Sequence, residues 1–219
     1  LTGLVRAKQG RKMSKQLGNS PDALGLIDKY GADAVRVGLM LSSSAGNDLL
    51  FDESLCQQGK KFANKIWNAY RLVEGWEINE KSEMSPLNKA AIQWYKNRFN
   101  QVLKSIDDLY DKYRISDALM TLYKLIWDDF CSWFLEMVKP NYGDHIDKYT
   151  LIEVKALFED NLRLLHPFMP FLTEELWHFI NNRETIEALI VSDWPKALPV
   201  DLNCIKDFEL VKQIVAGIR

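Results

Sequence analysis

From Asp52 onward the apolar residues return at intervals of three and four for most of the chain, a period that long amphipathic helices satisfy and strands do not. The first such helix carries Leu55, Gly59, Phe62, Ile66, Ala69 and Val73 on one face, with Asp52 as its N-cap. A second, from about Ser85 to Lys112, lines up Ile92, Tyr95, Phe99, Val102, Ile106, Leu109 and Tyr113. Ser116 is expected to cap a third, with Leu119, Leu122, Ile126, Phe130, Trp133 and Met137 as its stripe, until Pro140 ends it. Two further helices near 150–165 and 170–182 flank His166-Pro167-Phe168-Met169-Pro170, whose prolines force a break. Ala188–Val191 reads as a short extended segment and 207–218 as a last helix. Together these predict a helix bundle. With 47% hydrophobic residues the stripes have ample material for a packed core. Trp67, Trp76, Trp94, Trp127, Trp133 and Trp177 fall at helical spacing and are read as core residues before base-stacking platforms.

The first fifty residues are built differently. Thr2–Ala7 can form an edge strand, and Gln9-Gly10 turns it into the stretch GRKMSKQLGNSPD, residues 10–22. Ser20 is expected to cap a helix with Pro21 in its first position and Asp22 in its first turn, ending at Gly31. A second short helix is expected over Ala32–Leu41, then a loop at Ser42–Asn47 and a short strand at Leu49–Phe51. No internal repeat or low-complexity tract is present.

Charge separates the two parts again. Residues 1–21 carry Arg6, Lys8, Arg11, Lys12 and Lys15 with no acid, +5, so the stated net charge of −2 leaves −7 on residues 22–219. Such a local patch argues against a generic nucleic-acid coat and fits either one held anion or a solvated basic hairpin. Cys56, Cys131 and Cys204 lie far apart, without the close pairs of a zinc site or the even count of a disulfide framework, and fit a reducing cytosol. No metal-ligand cluster is expected. No apolar run approaches the roughly 18 residues that span a bilayer, so no membrane role is expected. The chain opens on Leu1 within a strand pattern, so it is expected to be a piece of a longer polypeptide.

The loop has the chemistry of a phosphate clamp. Lys12 and Lys15 are compact, mobile point charges on either side of Met13-Ser14, and Gly10 and Gly18 let the segment turn. Neither GxxxxGK[ST] nor GxGxxG occurs, which excludes the common Gly-rich phosphate loops.

Lys12-Met13-Ser14-Lys15-Gln16 resembles the KMSKS signature of class I aminoacyl-tRNA synthetases, the mobile loop that clamps ATP during amino acid activation. The text around it is similar in order: Gly3-Leu4-Val5, Gly18-Asn19-Ser20-Pro21-Asp22 and Lys29-Tyr30-Gly31-Ala32-Asp33-Ala34-Val35-Arg36. Gly46–Asp52 and Phe62–Ala69 resemble the valyl-tRNA synthetases in particular. His166–Phe171 with Thr173-Glu174-Glu175-Leu176-Trp177 resembles the helical anticodon-binding domain shared by the valine, isoleucine and leucine enzymes. The resemblance departs at Gln16, where the family has Ser, although an amide also donates a hydrogen bond. His145, His166 and His178 form no HxGH motif, so the nucleotide fold, amino acid pocket and editing domain are expected upstream and the piece alone is expected to be inactive.

The resemblance implies a mainly α chain with three parts: 1–52, the KMSKS loop and stem-contact end of the catalytic core, a short α/β segment; 53–200, an antiparallel anticodon-binding helix bundle; and 201–219, the start of a C-terminal connecting helix. It implies a cytoplasmic, monomeric parent enzyme that joins valine to tRNA(Val) with ATP and Mg²⁺. Lys12, Met13, Ser14 and Lys15 would then meet ATP, with Lys15 and after it Lys12 as the catalytic charges. Lys60, Lys61, Lys65 and Arg71 on the polar side of the 52–73 helix fit tRNA phosphates or a solvated face equally well. The isoleucine or leucine enzyme, and a non-catalytic helical RNA-binding module, are the alternatives.

Overall fold

The computed structural model describes residues 5–7, 10–42, 48–184 and 186–218; the side chain of Lys15 also lies outside what is described. The expectations for Gly3, Leu4, Gln9 and 43–47 therefore fall outside the described residues. In chain order the elements are β1 (Val5–Ala7), α1 (Ala23–Tyr30), α2 (Ala32–Leu41), β2 (Leu49–Phe51), α3 (Glu53–Glu74), β3 (Ile78–Asn79), α4 (Pro86–Asp111) and α5 (Ile115–Lys124). A π-helical stretch (Leu125–Phe134) continues α5 into α6 (Leu135–Val138), followed by β4 (Ile146–Asp147), α7 (Lys148–Leu165), α8 (Pro170–Ile180) and α9 (Leu202–Ile218). The chain is mainly helical, and its strands form two small parallel pairs, β1 with β2 and β3 with β4.

The helical stripes are the buried faces. On α3, Gly59, Phe62, Ile66, Ala69 and Val73 are buried, with Cys56 taking the place expected for Leu55. On α4, Ile92 through Ile106 lie in the core, but Tyr113 is 83% exposed. The reason is the helix end: Tyr113 has φ 56°, and the Arg114 amide donates back to the Leu109 carbonyl at 2.8 Å, a left-handed C-cap that turns the side chain out of the stripe. The third stripe breaks for a different reason. Within 125–134 the bonds run from i to i−5, as with the Leu135 amide on the Phe130 carbonyl, so each turn holds more residues. The register slips by one, and Phe134 and Val138 are buried where Trp133 and Met137 were expected. Trp94 and Trp177 are fully core; Trp67, Trp76, Trp127 and Trp133 pack against it with part of each ring in solvent.

Three helix starts differ from the sequence reading. Asp22, not Ser20, caps α1, its carboxylate accepting from the Leu24 and Gly25 amides at 3.3 and 3.1 Å, so Pro21 precedes the cap. Arg114 occupies the N-cap of α5, and the Ser116 hydroxyl instead donates to the Leu41 carbonyl at 3.4 Å. The last helix begins five residues earlier than expected, at Leu202, and Leu189–Val191 is a single 3₁₀ turn.

The loop-bearing segment joins the bundle through a close crossing of α2 on α3. A Cβ on Gly59 would lie 2.6 Å from the Ala34 carbonyl, and one on Gly38 would lie 2.8 Å from the Cys56 amide nitrogen. Each helix thus contributes one glycine where its partner's backbone comes too near for a side chain. Leu26, Val35, Phe51 and Cys56 form a small core under the segment, separate from the large core of the bundle.

Candidate functional site

β1 runs directly into the cationic loop. Gly10, with φ 79°, lets the chain reverse, its amide donating to the Ala7 carbonyl at 2.7 Å while the Ala7 amide donates to the Arg11 carbonyl at 2.9 Å. An antiparallel bridge between Arg6 and Lys12 lays the backbone of Lys12 beside the strand. The far side is closed by one side chain: Asn19 accepts from the Ser14 amide at 2.9 Å and donates to the Lys12 carbonyl at 3.1 Å. Gly18, φ 63°, turns Asn19 back to make this possible. Between them the Ser14 hydroxyl accepts from the Gln16 amide at 3.2 Å, and a 3₁₀ turn covers Lys15–Leu17.

This scaffold sorts the candidate residues. Met13 is half-buried against the small core and anchors the loop, whereas Arg11 and Lys12 stand exposed on its outer side. Arg6 pairs with Asp48 and donates from Nη1 to the Gly10 carbonyl at 3.3 Å, so its charge is held at the base of the loop. The first-turn amides of α1 are occupied by Asp22, so the helix end offers no anion site and the cations alone can supply one. A cleft of about 350 Å³ lies against the inner side of the loop, between Met13, Asn19 and Pro21 on one wall and Phe51, Asp52 and Glu53 on the other. Asp52 caps α3, and Glu53 is held by the Lys29 ammonium and the Tyr30 hydroxyl, each at 2.8 Å. These bonds pull the Glu53 carboxyl down from its ordinary value and hold the Lys29 ammonium above its own. Among the described residues, the wall of the cleft carries two acids and no Lys or Arg, whereas the outer edge of the loop carries the exposed cations Arg11 and Lys12.

The cations of α3 do not form one cluster. Lys61 and Lys65, four residues apart, share a side, and the Lys65 ammonium sits 5.6 Å from the centre of the Trp127 ring. Trp127 stacks on Tyr123 at 5.5 Å, so this side joins two cations to two part-exposed rings. Lys60 and Arg71, about three turns apart, lie on another side. The Lys60 ammonium donates to the Lys29 carbonyl at 2.7 Å, the C-terminal end of α1, where a cation also meets the negative end of the dipole. Helical spacing alone separates Lys61 and Lys65 from Lys60 and Arg71.

Sequence reasoning missed one residue of the loop, Asn19, and two of a structural contact away from it, Asp33 and Arg36. Asn19 was quoted only as part of a motif; the signal was an amide directly after a glycine, a pair that readily bonds its own backbone. Asp33 and Arg36 of α2 reach the start of α8, a contact with no local signal. His166 packs at the proline break: its Nδ1 lies 2.8 Å from the Thr173 hydroxyl, and burial lowers its pKa. Another cleft, about 650 Å³, opens at the end of the bundle away from the loop, and its four acids Glu83, Glu136, Asp144 and Asp147 outnumber its bases Lys139 and His145. Among the described residues no group of three or more His, Cys, Asp or Glu is placed to hold a metal ion, and no helix is long and apolar enough to cross a membrane.

Comparison with known proteins adds three findings. Residues 93–219 match the family model described as the anticodon-binding domain of tRNA ligase, and residues 1–52 match that of class I tRNA synthetases (I, L, M and V). The chain is 60% identical over 219 residues to a valine–tRNA ligase of Christiangramia forsetii, 51% over 218 residues to that of Parabacteroides distasonis, and 40% over 226 residues to that of Bacillus subtilis. These alignments cover 99–100% of the chain and 25% of each relative, so the chain spans about a quarter of the length of the curated relatives it matches. A similar fold, TM-score 0.64 at 18% identity, covers 93% of this chain and 24% of a LeuRS from Agrobacterium radiobacter, solved as a ternary complex with tRNA and LeuAMS.

Proposed function

Since the chain belongs to the family of anticodon-binding domains of tRNA ligases, we propose that it is the loop-and-bundle portion of an enzyme that joins valine to tRNA(Val) with ATP. In this reading 1–52 completes the ATP site, 53–200 holds the tRNA, and 201–219 begins a connecting helix. The observation that carries it is the Asn19-closed turn, which holds Arg11 and Lys12 in solvent on a segment docked to the bundle.

The turn's task is electrostatic. When the valine carboxylate attacks the α-phosphate of ATP, negative charge moves onto the departing pyrophosphate; Mg²⁺ bound with the ATP would neutralise part of it, and no described residue of this chain is assigned to hold the ion. Lys15 is the residue proposed to meet that charge, with Lys12 beside it; a preorganised cation of this kind contributes about 10²–10³ in rate. Met13 and Ser14 shape the loop, Met13 by its packing and Ser14 by its bonds to Asn19 and Gln16. Gln16 in place of Ser does not disturb this frame, because its backbone amide, not its side chain, makes the bond to Ser14.

On the bundle, Lys61 and Lys65 beside Tyr123 and Trp127 are the better candidates for RNA contact, since phosphates and an unstacked base can both be met there. Arg71 is a candidate on the other side, and Lys60 is a candidate only if it leaves the Lys29 carbonyl. The three free cysteines fit a cytoplasmic protein, and the parent is proposed to act as a monomer. The test is tRNA binding by the 219-residue chain. Weak binding is expected, with a shallow salt dependence of two to four phosphate contacts, on the scale of about −0.7 to −0.9 per contact. Valine tRNA should bind better than the same RNA with an altered anticodon. Equal binding of both RNAs would contradict the anticodon role.

A further inference from the structure

Two segments more than 130 residues apart in sequence meet at the start of α8. Helix α8 begins at Pro170, and its N-cap residue Met169 makes no side-chain capping bond, so the first-turn amides need an acceptor from elsewhere. Asp33 of α2 provides it. One carboxylate oxygen accepts from the Phe171 amide at 3.3 Å and the other from the Leu172 amide at 2.7 Å. Arg36, three residues later on α2, donates from Nη2 to the Pro167 carbonyl at 3.0 Å and from Nε to the Phe168 carbonyl at 3.3 Å. A single turn of α2 thus matches an acceptor to the amides after the proline break and a donor to the carbonyls before it. The positive end of the α8 dipole favours the carboxylate further. Asp33 is 8% exposed, so its bonds are shielded from water.

α2 is also packed independently of this staple. Ala34, Val35 and Val37 are buried, and the Gly38–Gly59 crossing already seats the helix on α3. What the staple adds is a second, directional attachment that fixes α2 against α8. α2 follows α1 after the single residue Gly31, and α1 follows the cationic loop, while α8 belongs to the bundle.

We propose that Asp33 and Arg36 are positioning residues that set the bundle, with its RNA, at a fixed orientation to the cationic loop. The inference rests on the valine–tRNA ligase reading. It follows that they act only on steps that need both ends of the molecule: transfer to tRNA, and not activation of valine by ATP.

The test uses Asp33→Ala and Asp33→Asn in the full-length enzyme. Asp33→Ala should leave valine-dependent ATP–pyrophosphate exchange within twofold and the tRNA KM within twofold, while kcat for tRNA charging falls tenfold or more. Asp33→Asn, which keeps one acceptor oxygen for Leu172, should recover most of the loss. A parallel fall of exchange and charging would mark a general folding defect, and unchanged charging would remove the positioning role; either overturns the proposal. In the 219-residue chain, amide exchange at Phe171 and Leu172 should speed up at least tenfold in Asp33→Ala with Tyr95 unchanged, and unaltered exchange would refute the staple itself. If the unsubstituted enzyme charges no valine tRNA, the functional reading fails and takes the positioning role with it, while the amide exchange still decides the staple.

Discussion

The cationic loop and the helical bundle are ordered by different physics. The bundle is held by volume: Phe62, Trp94, Tyr95, Phe130, Phe134 and many aliphatic side chains interlock, and each loss is shared among neighbours. The loop has almost no apolar support beyond Met13, and its shape depends on a few directional bonds converging on Asn19 and Ser14. A region built by packing is rigid and tolerant of surface change. One built by a few exposed hydrogen bonds opens at little cost, which suits a segment proposed to close over a nucleotide.

The largest expected effect lies where the bundle itself depends on polar bonds. Asp129, 4% exposed in the π-helical stretch, accepts from Arg98 at 2.8 Å and from Lys212 at 3.0 Å, tying α9 to the bundle. Asp129→Ala leaves Arg98 with Gln101 and Lys212 with Glu209 as remaining partners, so the loss should fall at the low end for a broken buried pair, about 3 kcal/mol, read from denaturant unfolding. A loss below about 1 kcal/mol would mean that the packing of Phe208 on Trp94, ring centres 3.9 Å apart, holds α9 without the ion pairs.

Next comes the joint between the two regions. Gly59→Ala drives a methyl group into the Ala34 backbone, which overrides the gain of about 1 kcal/mol in helix propensity. A net loss of about 2 kcal/mol is expected, lowering Tm by roughly 4–8 °C for a chain of this size. An unchanged or raised Tm would show that α2 shifts freely on α3.

The smallest stability effect belongs to the loop. Asn19→Ala should leave Tm within about 1 °C, because no core contact is lost, yet raise trypsin cleavage at Arg11, Lys12 or Lys15 about fivefold, which corresponds to about 1 kcal/mol for two hydrogen bonds, one part-buried and one exposed, at about 0.5 kcal/mol each. Cleavage first within 92–137, in either protein, would contradict the division into a packed region and a polar-bonded one.

What the sequence revealed follows the same division. Periodicity is a property of packed helices, so Phe62, Ile66, Phe99, Val102 and Leu119 could be placed in the core by counting. Counting failed where the helix itself changes pitch, at 125–134, and where a left-handed residue ends it, at Tyr113, since neither event has a composition signal. In the loop, the residue types and their spacing carry the anion-binding proposal, and the structure adds the frame that holds them. The fold-back on Asn19 and the pairing of Arg6 with Asp48 are geometric facts that charge counting misses, whereas the split of the α3 lysines follows from helical spacing. The Asp33 bonds to α8 were out of reach because they join positions 138 and 139 residues apart.

The central claim, that loop and bundle perform separate tasks in one enzyme, is tested most directly by a crossed comparison in the full-length protein. Valine-dependent ATP–pyrophosphate exchange and tRNA affinity are measured for Lys15→Ala and for the pair Lys61→Ala with Lys65→Ala. The account predicts that Lys15→Ala lowers exchange about 10²–10³-fold with tRNA affinity unchanged. It predicts that the α3 pair leaves exchange intact, weakens tRNA binding and makes its salt dependence shallower by up to two contacts. A drop in exchange below threefold for Lys15→Ala, or equal effects of both variants on both measurements, would contradict it.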